Sequence, residues 1–408
     1  MKKVLLLAAA FLGLLATSAM ADNAKPPIKI GYINDLTGLA KFARPNSQGI
    51  QLAVDEINNK GGVLGRKLEI VTRDGQMDPG ESVRLAEELH TRDKVDALIN
   101  CCTSGTSIAV GEWAKQNHMP FIVTASEADS IIWQSGNDFM ARTNPGGYSW
   151  ISSSLMKAVD VYGDKLKNKR WVSIAVNLEF GHSLVQSAKD IAAAKGLNAK
   201  WVAEQWPVYD KLSAGPTIAT LEQANPDVVL VLLYGTDVVK FVREAKMRDF
   251  IKNRIFIFPL LALPEHSEML GAEMPKGWIS VGYPYDEVKL KKPALADFLR
   301  RYETTFHEPA KSGYAVTGYN GIKAIAAAIE IAGSTDPEKI RVAFDDLHFD
   351  TPYGEETLRK IDHQATVPYW VGLSDVIDGK PQLSDWTEYN AGDNSPPDAV
   401  ILKLRGGK

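Results

Sequence analysis

The chain is poor in cysteine, because its 408 residues include only the neighbours Cys101 and Cys102. This scarcity excludes a fold held by several disulfides, and no second cluster of cysteine or histidine stands at the spacing of a metal site. Two interpretations of the pair stay open. A vicinal disulfide would be strained, because adjacent Cα atoms lie only about 3.8 Å apart, below the usual disulfide range. The simpler interpretation is a pair of small buried thiols at the end of a strand.

Long apolar runs and a strong excess of one charge are also missing. After Leu15 no stretch has the length of a membrane-spanning helix, so we expect no membrane insertion of the mature chain. The net charge of −4 and the isoelectric point near 6.0 give no broad basic surface. The composition therefore predicts that nucleic acid is not a partner.

The signatures of common enzymes are absent from the sequence. It contains no glycine-rich dinucleotide or phosphate loop, no His-Glu-x-x-His and no Gly-x-Ser-x-Gly, and its 7 histidines are scattered singly. We therefore predict no cofactor, no bound metal and no catalytic residue. Convergent active sites assembled from distant residues lack such signatures, so a hydrolase stays as an alternative from another class.

The start of the chain has the pattern of a cleaved export signal. Lysines precede an unbroken apolar run over 4–15, and the segment ends on Ala19-Met20-Ala21, a small-x-small cleavage site. The run is too short for a permanent membrane helix, and no cysteine follows that could carry a lipid anchor. We expect residues 1–21 to be a signal peptide and the mature chain, from about Asp22, to be free in a Gram-negative periplasm.

Short apolar strands alternate with helical patterns along both halves of the chain. Strands separated by helices of this length are typical of parallel sheets covered by helices on both faces. The pattern predicts an α/β fold of two doubly wound parallel-sheet lobes joined by crossover hinges. The predicted strands are 28–33, 67–72, 97–100 and 120–124 in the first half, and 171–176, 199–204, 227–233 and 255–258 in the second.

Proline and glycine mark the expected passages between the lobes. The segment 142–147 predicts a crossover, and 278–285 predicts a strand that returns the chain. An alanine-rich helix over 324–331 is expected to pack against the sheet of the first lobe, and the tail from Asp375 onward is expected to be rich in loops. The predicted lobe limits are 28–141 with 280–348 for the first lobe, and 142–279 with 349–408 for the second.

Polar residues follow the third and fourth predicted strands, at the place where ligands collect in parallel α/β sheets. Hydroxyls and amides at a helix N-terminus can hold a carboxylate without a full positive charge. The simpler role for each of these residues is to cap a helix or to turn the chain. The candidates are Ser104, Gly105 and Thr106 after the third strand, and Ser126 and Glu127 after the fourth.

Short segments in a fixed order along nearly the whole mature chain carry a family resemblance. They are Ile30-Gly31-Tyr32-Ile33 with Leu36-Thr37-Gly38, Gly49-Ile50-Gln51-Leu52-Ala53-Val54-Asp55-Glu56-Ile57-Asn58 with Gly61-Gly62, Asp78-Pro79, Ser104-Gly105, Phe121-Ile122 before Ser126, Arg142-Thr143 and Phe180-Gly181. No single segment is specific, but their order and spacing are. The sequence resembles the leucine/isoleucine/valine-type family of periplasmic solute-binding proteins, the extracytoplasmic receptors of ATP-driven importers.

The resemblance implies a two-lobed clamp of the type I periplasmic-binding-protein fold, which closes on a small solute and presents it to the membrane permease of an ABC importer. Such a receptor is expected to be a monomer and to close by hinge motion at 142–147 and 275–285. By position, the resemblance assigns small loop residues to the carboxylate of the ligand and aromatic residues to its apolar part. The first group is Ser104, Gly105, Thr106 and Ser126, and the second is Phe42, Phe180 and Tyr234.

Two departures from the family matter for the ligand. The amino-acid binders carry an acidic residue just after the strand that ends near Pro259, where it pairs with the ammonium, but this chain has Leu260 there. A buried unpaired ammonium is costly, so another acid replaces the missing one or the ligand has no ammonium. Met77 stands where some members carry a cysteine, so their disulfide to the position near Cys102 cannot form. The candidate replacement acids are Glu127, Glu179 and Asp237.

The resemblance leaves the ligand open between two classes. A branched-chain or other amino acid is the family default, and an aromatic or aliphatic carboxylate fits the missing acid. Arg44 is a candidate cation for such a carboxylate, although an exposed arginine at a helix start is the plainer interpretation. Two other functions stay as alternatives, namely a ligand-sensing module for a membrane kinase and a periplasmic hydrolase, which would turn over a bound amide or ester.

Overall fold

The computed structural model describes residues 25–406. The predicted signal peptide, residues 1–21, lies outside the described residues and stays a prediction. Within the described range, no helix combines the length and the apolar character needed to cross a bilayer.

Parallel strands form the first sheet. They are β1 (Ile28–Asn34), β2 (Leu68–Asp74), β3 (Ala97–Cys101), β4 (Phe121–Ala125) and β5 (Met140–Arg142). Their order in the sheet is β2-β1-β3-β4-β5, and β3 and β4 are buried along their whole length, as expected for strands covered on both faces. The strands predicted in this half are confirmed with shifted ends, whereas the short β5 was not predicted.

The second sheet is larger and mixed. Its strands, and a separate hairpin formed by β11 and β12, are β6 (Arg170–Ala175), β7 (Lys200–Gln205), β8 (Val228–Leu232), β9 (Ile255–Ile257), β10 (Ile279–Gly282), β11 (His348–Thr351), β12 (Gly354–Thr357), β13 (Pro368–Ile377) and β14 (Lys380–Asn390). The order in the 7-stranded sheet is β14-β13-β10-β9-β8-β6-β7. Strands β6 to β10 run parallel, and β13 and β14 are antiparallel. The prediction of two α/β lobes built on largely parallel sheets is confirmed.

Helices connect the parallel strands, and local signals fix their ends. For example, the Asp78 carboxylate caps the second helix by accepting from the amide of Glu81 at 2.7 Å, with Pro79 in the first turn. The helices are α1 (Leu36–Asn59), α2 (Pro79–Thr91), α3 (Ser104–Gln116), α4 (Gly147–Tyr162), α5 (Glu179–Ala194), α6 (Ala214–Gln223), α7 (Thr236–Met247), α8 (Pro264–Leu270), α9 (Tyr285–Val288), α10 (Pro293–Phe306), α11 (Gly313–Ala332), α12 (Pro337–Ala343) and α13 (Asp398–Leu404).

The expectation that the tail from Asp375 onward is rich in loops is wrong. The hairpin of β13 and β14 takes up 375–390 and α13 takes up 398–404, and the hairpin closes through Asp378 and Gly379 with φ of 50° and 75°. Two consecutive residues with positive φ make the tight turn that matches the twist of paired strands. Pro381 is tolerated because β14 lies at the edge of the sheet.

Sheet membership shows where the chain changes lobes. Helix α11 packs against α1 and β4, as predicted for 324–331, and a Cβ at Gly49 of α1 would collide with the carbonyl of Ala315. Residues 280–282, inside the range predicted for the first lobe, hydrogen bond with β13 and so belong to the second sheet. Ile401 of α13, inside the range predicted for the second lobe, packs with the core of the first sheet. The remaining lobe limits stay a prediction.

Two connecting segments run side by side between the lobes. The buried Arg142, at the end of β5, pairs with Gln364 in a parallel bridge, and its Nε donates to Oε1 of Gln364 at 2.6 Å.

The two cysteines lie at the end of β3. Cys101 is the last residue of this strand and is joined to Cys102 by a disulfide. Of the two interpretations of this pair, the structure therefore has the vicinal disulfide and not two free thiols.

Candidate functional site

A cavity of about 180 Å³ lies between the lobes, beyond the carboxyl ends of the parallel strands. Most of the residues predicted to bind the ligand line it, namely Phe42, Ser104, Gly105, Thr106, Glu127, Phe180, Tyr234 and Leu260. The other lining residues are Leu39, Met77, Pro79, Cys102, Thr103, Ala125, Leu178, Glu179 and Tyr314. The walls are mostly apolar and aromatic, which is typical of a small-molecule site.

The N-terminus of α3 forms the polar part of the first-lobe wall. Its first residues are Ser104, Gly105 and Thr106, and within residues 25–406 their amides have no hydrogen-bond partner. The Thr106 hydroxyl is already used as a donor, because its Oγ1 donates to the carbonyl of Thr103 at 2.8 Å, whereas Oγ of Ser104 accepts from the amide of Ala128 at 3.3 Å and keeps its own hydrogen. Three backbone amides and the hydroxyl hydrogen of Ser104 are therefore available to an anion at the positive end of the helix, and the amides are the more numerous donors.

A buried carboxylate, which the sequence analysis did not single out, holds this wall in place. Oδ2 of Asp35 accepts from the amide of Cys102 at 3.1 Å, and from the amide and hydroxyl of Thr103 at 2.9 and 2.6 Å. Its Oδ1 accepts from the amide of Met77 at 2.9 Å. Asp35 follows β1, so one side chain ties together three loops that line the cavity. Its position directly after a buried strand was the available sequence signal.

Ser126 does not line the cavity. It is fully buried, and its Oγ donates to the carbonyl of Cys102 at 2.9 Å and shares a hydrogen bond with Oγ of Ser107 at 2.8 Å. The sequence placed Ser126 in the right loop, but the side chain turns toward the β3–α3 connection. Its contribution in this structure is to brace the loop that carries the disulfide.

Glu127 is the buried carboxyl group of the cavity. Its side chain is buried, and Tyr314 donates its hydroxyl to Oε1 at 3.3 Å. Burial raises the pKa of Glu127 to about 7, and the nearby Arg142 guanidinium only partly opposes this shift. The carboxyl group therefore changes protonation near neutral pH, so it can accept from an ammonium when ionised or donate to an oxygen when protonated.

Aromatic rings from both lobes close around the cavity. Phe42 of α1 lies edge-on to Tyr314 at 5.3 Å and to Tyr234 of the second lobe at 6.2 Å. Phe180, at the start of α5, lies edge-on to Tyr234 at 5.7 Å. Edge-to-face packing of this kind is favourable beyond the burial of apolar area. The structure places these three rings in the cavity wall, whereas their contact with a ligand stays a prediction.

His266 fixes the second-lobe wall from behind. Its Nδ1 lies 2.7 Å from the carbonyl oxygen of Leu260, and its Nε2 lies 3.1 Å from the amide of Gly235, which follows Tyr234. The amide can only donate, so Nε2 is the acceptor and Nδ1 carries the hydrogen. Burial lowers the pKa of His266 to about 4, so the ring is neutral at physiological pH.

The other charged residues named from the sequence are either exposed or lie away from the cavity. Glu179 lines the cavity, but it is exposed and accepts from Oγ of Ser130 at 2.5 Å. Asp237 is buried away from the cavity, and its Oδ1 lies 2.8 Å from Nζ of Lys240. Arg44 does not line the cavity, and its exposed guanidinium lies 3.7 Å from Glu308. Among the described residues that line the cavity, none is lysine, arginine or histidine.

Comparison with known proteins gives a consistent result. The family model described as periplasmic binding protein matches residues 27–377. The Leu/Ile/Val-binding protein homolog 7 of Brucella abortus strain 2308 is 25% identical over 339 residues, which cover 81% of this chain and 84% of that relative.

Solved structures share the fold. An amino acid ABC transporter substrate-binding protein from Pseudomonas fluorescens Pf-5 superposes with a TM-score of 0.78 at 20% identity, covering 93% of this chain and 99% of the other. A solute-binding protein of an ABC transporter from Rhodopseudomonas palustris HaA2, in complex with p-hydroxybenzoic acid, has a TM-score of 0.76 at 21% identity, covering 92% and 100%. The family match over most of the chain, together with the two lobes and the cavity between them, shows that this chain belongs to the periplasmic binding protein family and has the type I fold.

Proposed function

We propose that this chain is the solute-binding component of an ABC importer, which captures a small carboxylate-bearing solute between its lobes and delivers it to the membrane permease. The observation that carries the proposal is the N-terminus of α3, whose amides at Ser104, Gly105 and Thr106 face a cavity walled by aromatic rings. A helix N-terminus binds an anion through its unpaired amides and the positive end of its dipole. The rings would bury the apolar part of the same solute.

The size of the cavity limits the solute. At about 30 Å³ for each water molecule, 180 Å³ holds roughly six waters. A single amino acid or a single-ring aromatic acid is of this scale, whereas a peptide or an oligosaccharide is not.

Glu127 decides between the two ligand classes. Leu260 cannot pair with an ammonium, and Asp237 does not reach the cavity, so Glu127 is the buried acid available to an amino acid such as leucine. With an aromatic acid, the protonated form of Glu127 would instead donate to a ligand oxygen. The relatives support both classes, because one is named for leucine, isoleucine and valine and another holds p-hydroxybenzoic acid.

A ligand screen tests the proposal. Purified mature chain from Asp22 would be heated with leucine, isoleucine, valine, benzoate or 4-hydroxybenzoate, because a bound solute stabilises the folded state by mass action. A rise in melting temperature only with the amino acids would indicate an ammonium site, for which Glu127 is the buried candidate. A rise only with the aromatic acids would exclude an ammonium site. No rise with any carboxylate would contradict the proposal.

We further propose that the cavity binds its solute without transforming it. A solute recovered unchanged after prolonged incubation would support this, whereas turnover of a bound amide or ester would favour a hydrolase.

Export to the periplasm is proposed from the predicted signal peptide and the family. The sequence read from the N-terminus of the exported protein should begin near Asp22. Retention of the solute-loaded chain, but not the empty chain, by membranes that contain the permease would separate transport from signalling to a kinase.

A further inference from the structure

A tyrosine of the second lobe bonds to the backbone of the first lobe beside the cavity. Tyr209, in the connection between β7 and α6, donates its hydroxyl to the carbonyl of Gly38 at 3.0 Å. The two residues are 171 positions apart in the chain. The hydrogen bond therefore joins the two walls of the cleft directly.

The carbonyl of Gly38 is available because the chain is not helical there. Thr37, Gly38 and Leu39 depart from helical angles, and Gly38 has a φ of 98°, a conformation that favours glycine. The Asp74 carboxylate holds this turn, because its Oδ2 accepts from the amide and the hydroxyl of Thr37 at 3.0 and 2.6 Å. A Cβ at Gly38 would lie 2.5 Å from the sulfur of Met77, which lines the cavity. The acceptor is thus presented by a fixed turn in the cavity wall.

The ring of Tyr209 is coupled to the cavity from the other side. It packs on Tyr234 with ring centroids 4.9 Å apart, and Tyr234 in turn lines the cavity. Gly235 has a φ of 69°, and a Cβ there would lie 3.2 Å from the Tyr209 ring. Glycine at this position therefore allows the ring to approach the turn that follows Tyr234.

We propose that Tyr209 is a positioning residue that latches the lobes together across the cleft and so sets how long a solute stays bound. The inference rests on the proposed function and adds to it the residue that retains the solute. A solute that presses on Tyr234 would hold that ring against Tyr209, and the hydroxyl would then hold the lobe of Gly38. Burial raises the pKa of Tyr209, so the hydroxyl keeps its hydrogen at physiological pH.

The test is the variant Tyr209→Phe, which removes one hydroxyl and keeps the ring. Tyr162→Phe is the matched control, because the Tyr162 hydroxyl also donates to a glycine carbonyl, that of Gly277 at 3.2 Å, but within the second lobe. The probes are leucine and 4-hydroxybenzoate, followed by stopped-flow fluorescence. We expect Tyr209→Phe to dissociate about fivefold faster, with association and urea stability unchanged, since one hydrogen bond of this kind is lost.

An unchanged dissociation rate in Tyr209→Phe, or an equal change in Tyr162→Phe, would overturn the latch even if the probe binds. If neither probe binds the wild-type chain, the ligand classes of the proposed function fail, and small-angle scattering of the solute-free proteins decides the latch separately. A larger radius of gyration for Tyr209→Phe than for the wild type and Tyr162→Phe would support the latch. Equal radii would reject it.

Discussion

The imidazole of His266 lies 5.8 Å from the ring of Phe42, and the two residues belong to opposite lobes. The imidazole is fully buried and holds both Leu260 and the amide of Gly235 from behind the cavity wall. The neutral imidazole thus supports the second-lobe wall and also contacts a first-lobe ring. A proton on Nε2 would remove the acceptor for the Gly235 amide and would place a charge beside an apolar ring.

We expect protonation of His266 to destabilise the chain at acidic pH. Its pKa in the folded chain is about 4, below the ordinary 6.5. Between these values the unfolded chain binds the proton more readily, so the stability contributed by the neutral ring is present above pH 6.5 and is lost as pH falls toward 4. Relative to His266→Gln, the wild type should lose about 3 kcal/mol of unfolding free energy over this window. Urea unfolding at a series of pH values measures the difference.

The control for that measurement is His348→Gln, because His348 is exposed. Its pH profile should run parallel to that of the wild type. Parallel profiles for His266→Gln and the wild type would show that the buried ring does not limit stability in acid.

Glu127 should produce the opposite pH dependence. Burial raises its pKa to about 7 in the folded chain, against an ordinary 4.5, so between these values the folded chain holds the proton more tightly. Its contribution is therefore largest at low pH and is lost as pH rises through 7. Compared with Glu127→Gln, the wild type should lose about 3 kcal/mol of unfolding free energy between pH 4.5 and 7. The exposed Glu69→Gln serves as the control, and a slope unaffected by Glu127→Gln would contradict the assignment.

Much of the architecture could be predicted from the sequence, because it depends on local patterns. The valine- and leucine-rich strand β8 reads directly as a buried parallel strand. The loops that follow β3 and β4 could be placed at the cleft, because the carboxyl ends of parallel strands share one edge of the sheet. This reasoning brought Ser104 and Glu127 to the same cavity although 22 residues separate them.

Side-chain direction and long-range contacts could not be read in the same way. Ser126 follows β4 as predicted, but its hydroxyl satisfies the buried carbonyl of Cys102 rather than facing the cavity. Asp35 acts through loops that are distant in sequence, and Tyr314 reaches Glu127 only because α11 packs on the first sheet. The Asp378-Gly379 pair is a sequence signal for a hairpin turn. The prolines that follow it favoured the interpretation of this segment as a loop.

Removing the Asp35 carboxylate should loosen the first-lobe wall. Asp35→Ala would leave the amides of Met77, Cys102 and Thr103 without their partner, and each buried unsatisfied amide costs about 1–3 kcal/mol. We expect a loss of about 3–5 kcal/mol of unfolding free energy for Asp35→Ala and a smaller loss for Asp35→Asn, which retains one acceptor oxygen. Urea unfolding of the three proteins gives the ranking. Equal stability of Asp35→Ala and Asp35→Asn would show that the loops do not depend on these hydrogen bonds.

The amide of Ser104 offers the sharpest test of how the carboxylate is held. Ser104 is the first residue of α3, where proline fits without disturbing the helix, and Thr103 before it is extended with φ −82° and ψ 139°, as a residue before proline should be. Ser104→Pro would thus remove one N–H and leave the helix in place. A hydrogen bond to a charged group contributes about 1.5–3 kcal/mol, so we expect carboxylate binding to weaken by roughly 10- to 100-fold with little change in unfolding. Calorimetric titration with the solute found in the screen measures the effect.

Ser104→Ala is the matched control for that variant, because it keeps the amide and loses only the hydroxyl, which accepts from Ala128. It should bind the carboxylate nearly as well as the wild type. If Ser104→Ala weakened binding as much as Ser104→Pro, the hydroxyl would be the group that contacts the solute. The sequence-based prediction that hydroxyls of this loop hold the carboxylate would then apply. If neither variant changed the affinity, the carboxylate would lie elsewhere in the cavity. The next candidate would be the N-terminus of α5, which also has no side-chain cap and whose first residues, Glu179 and Phe180, line the cavity.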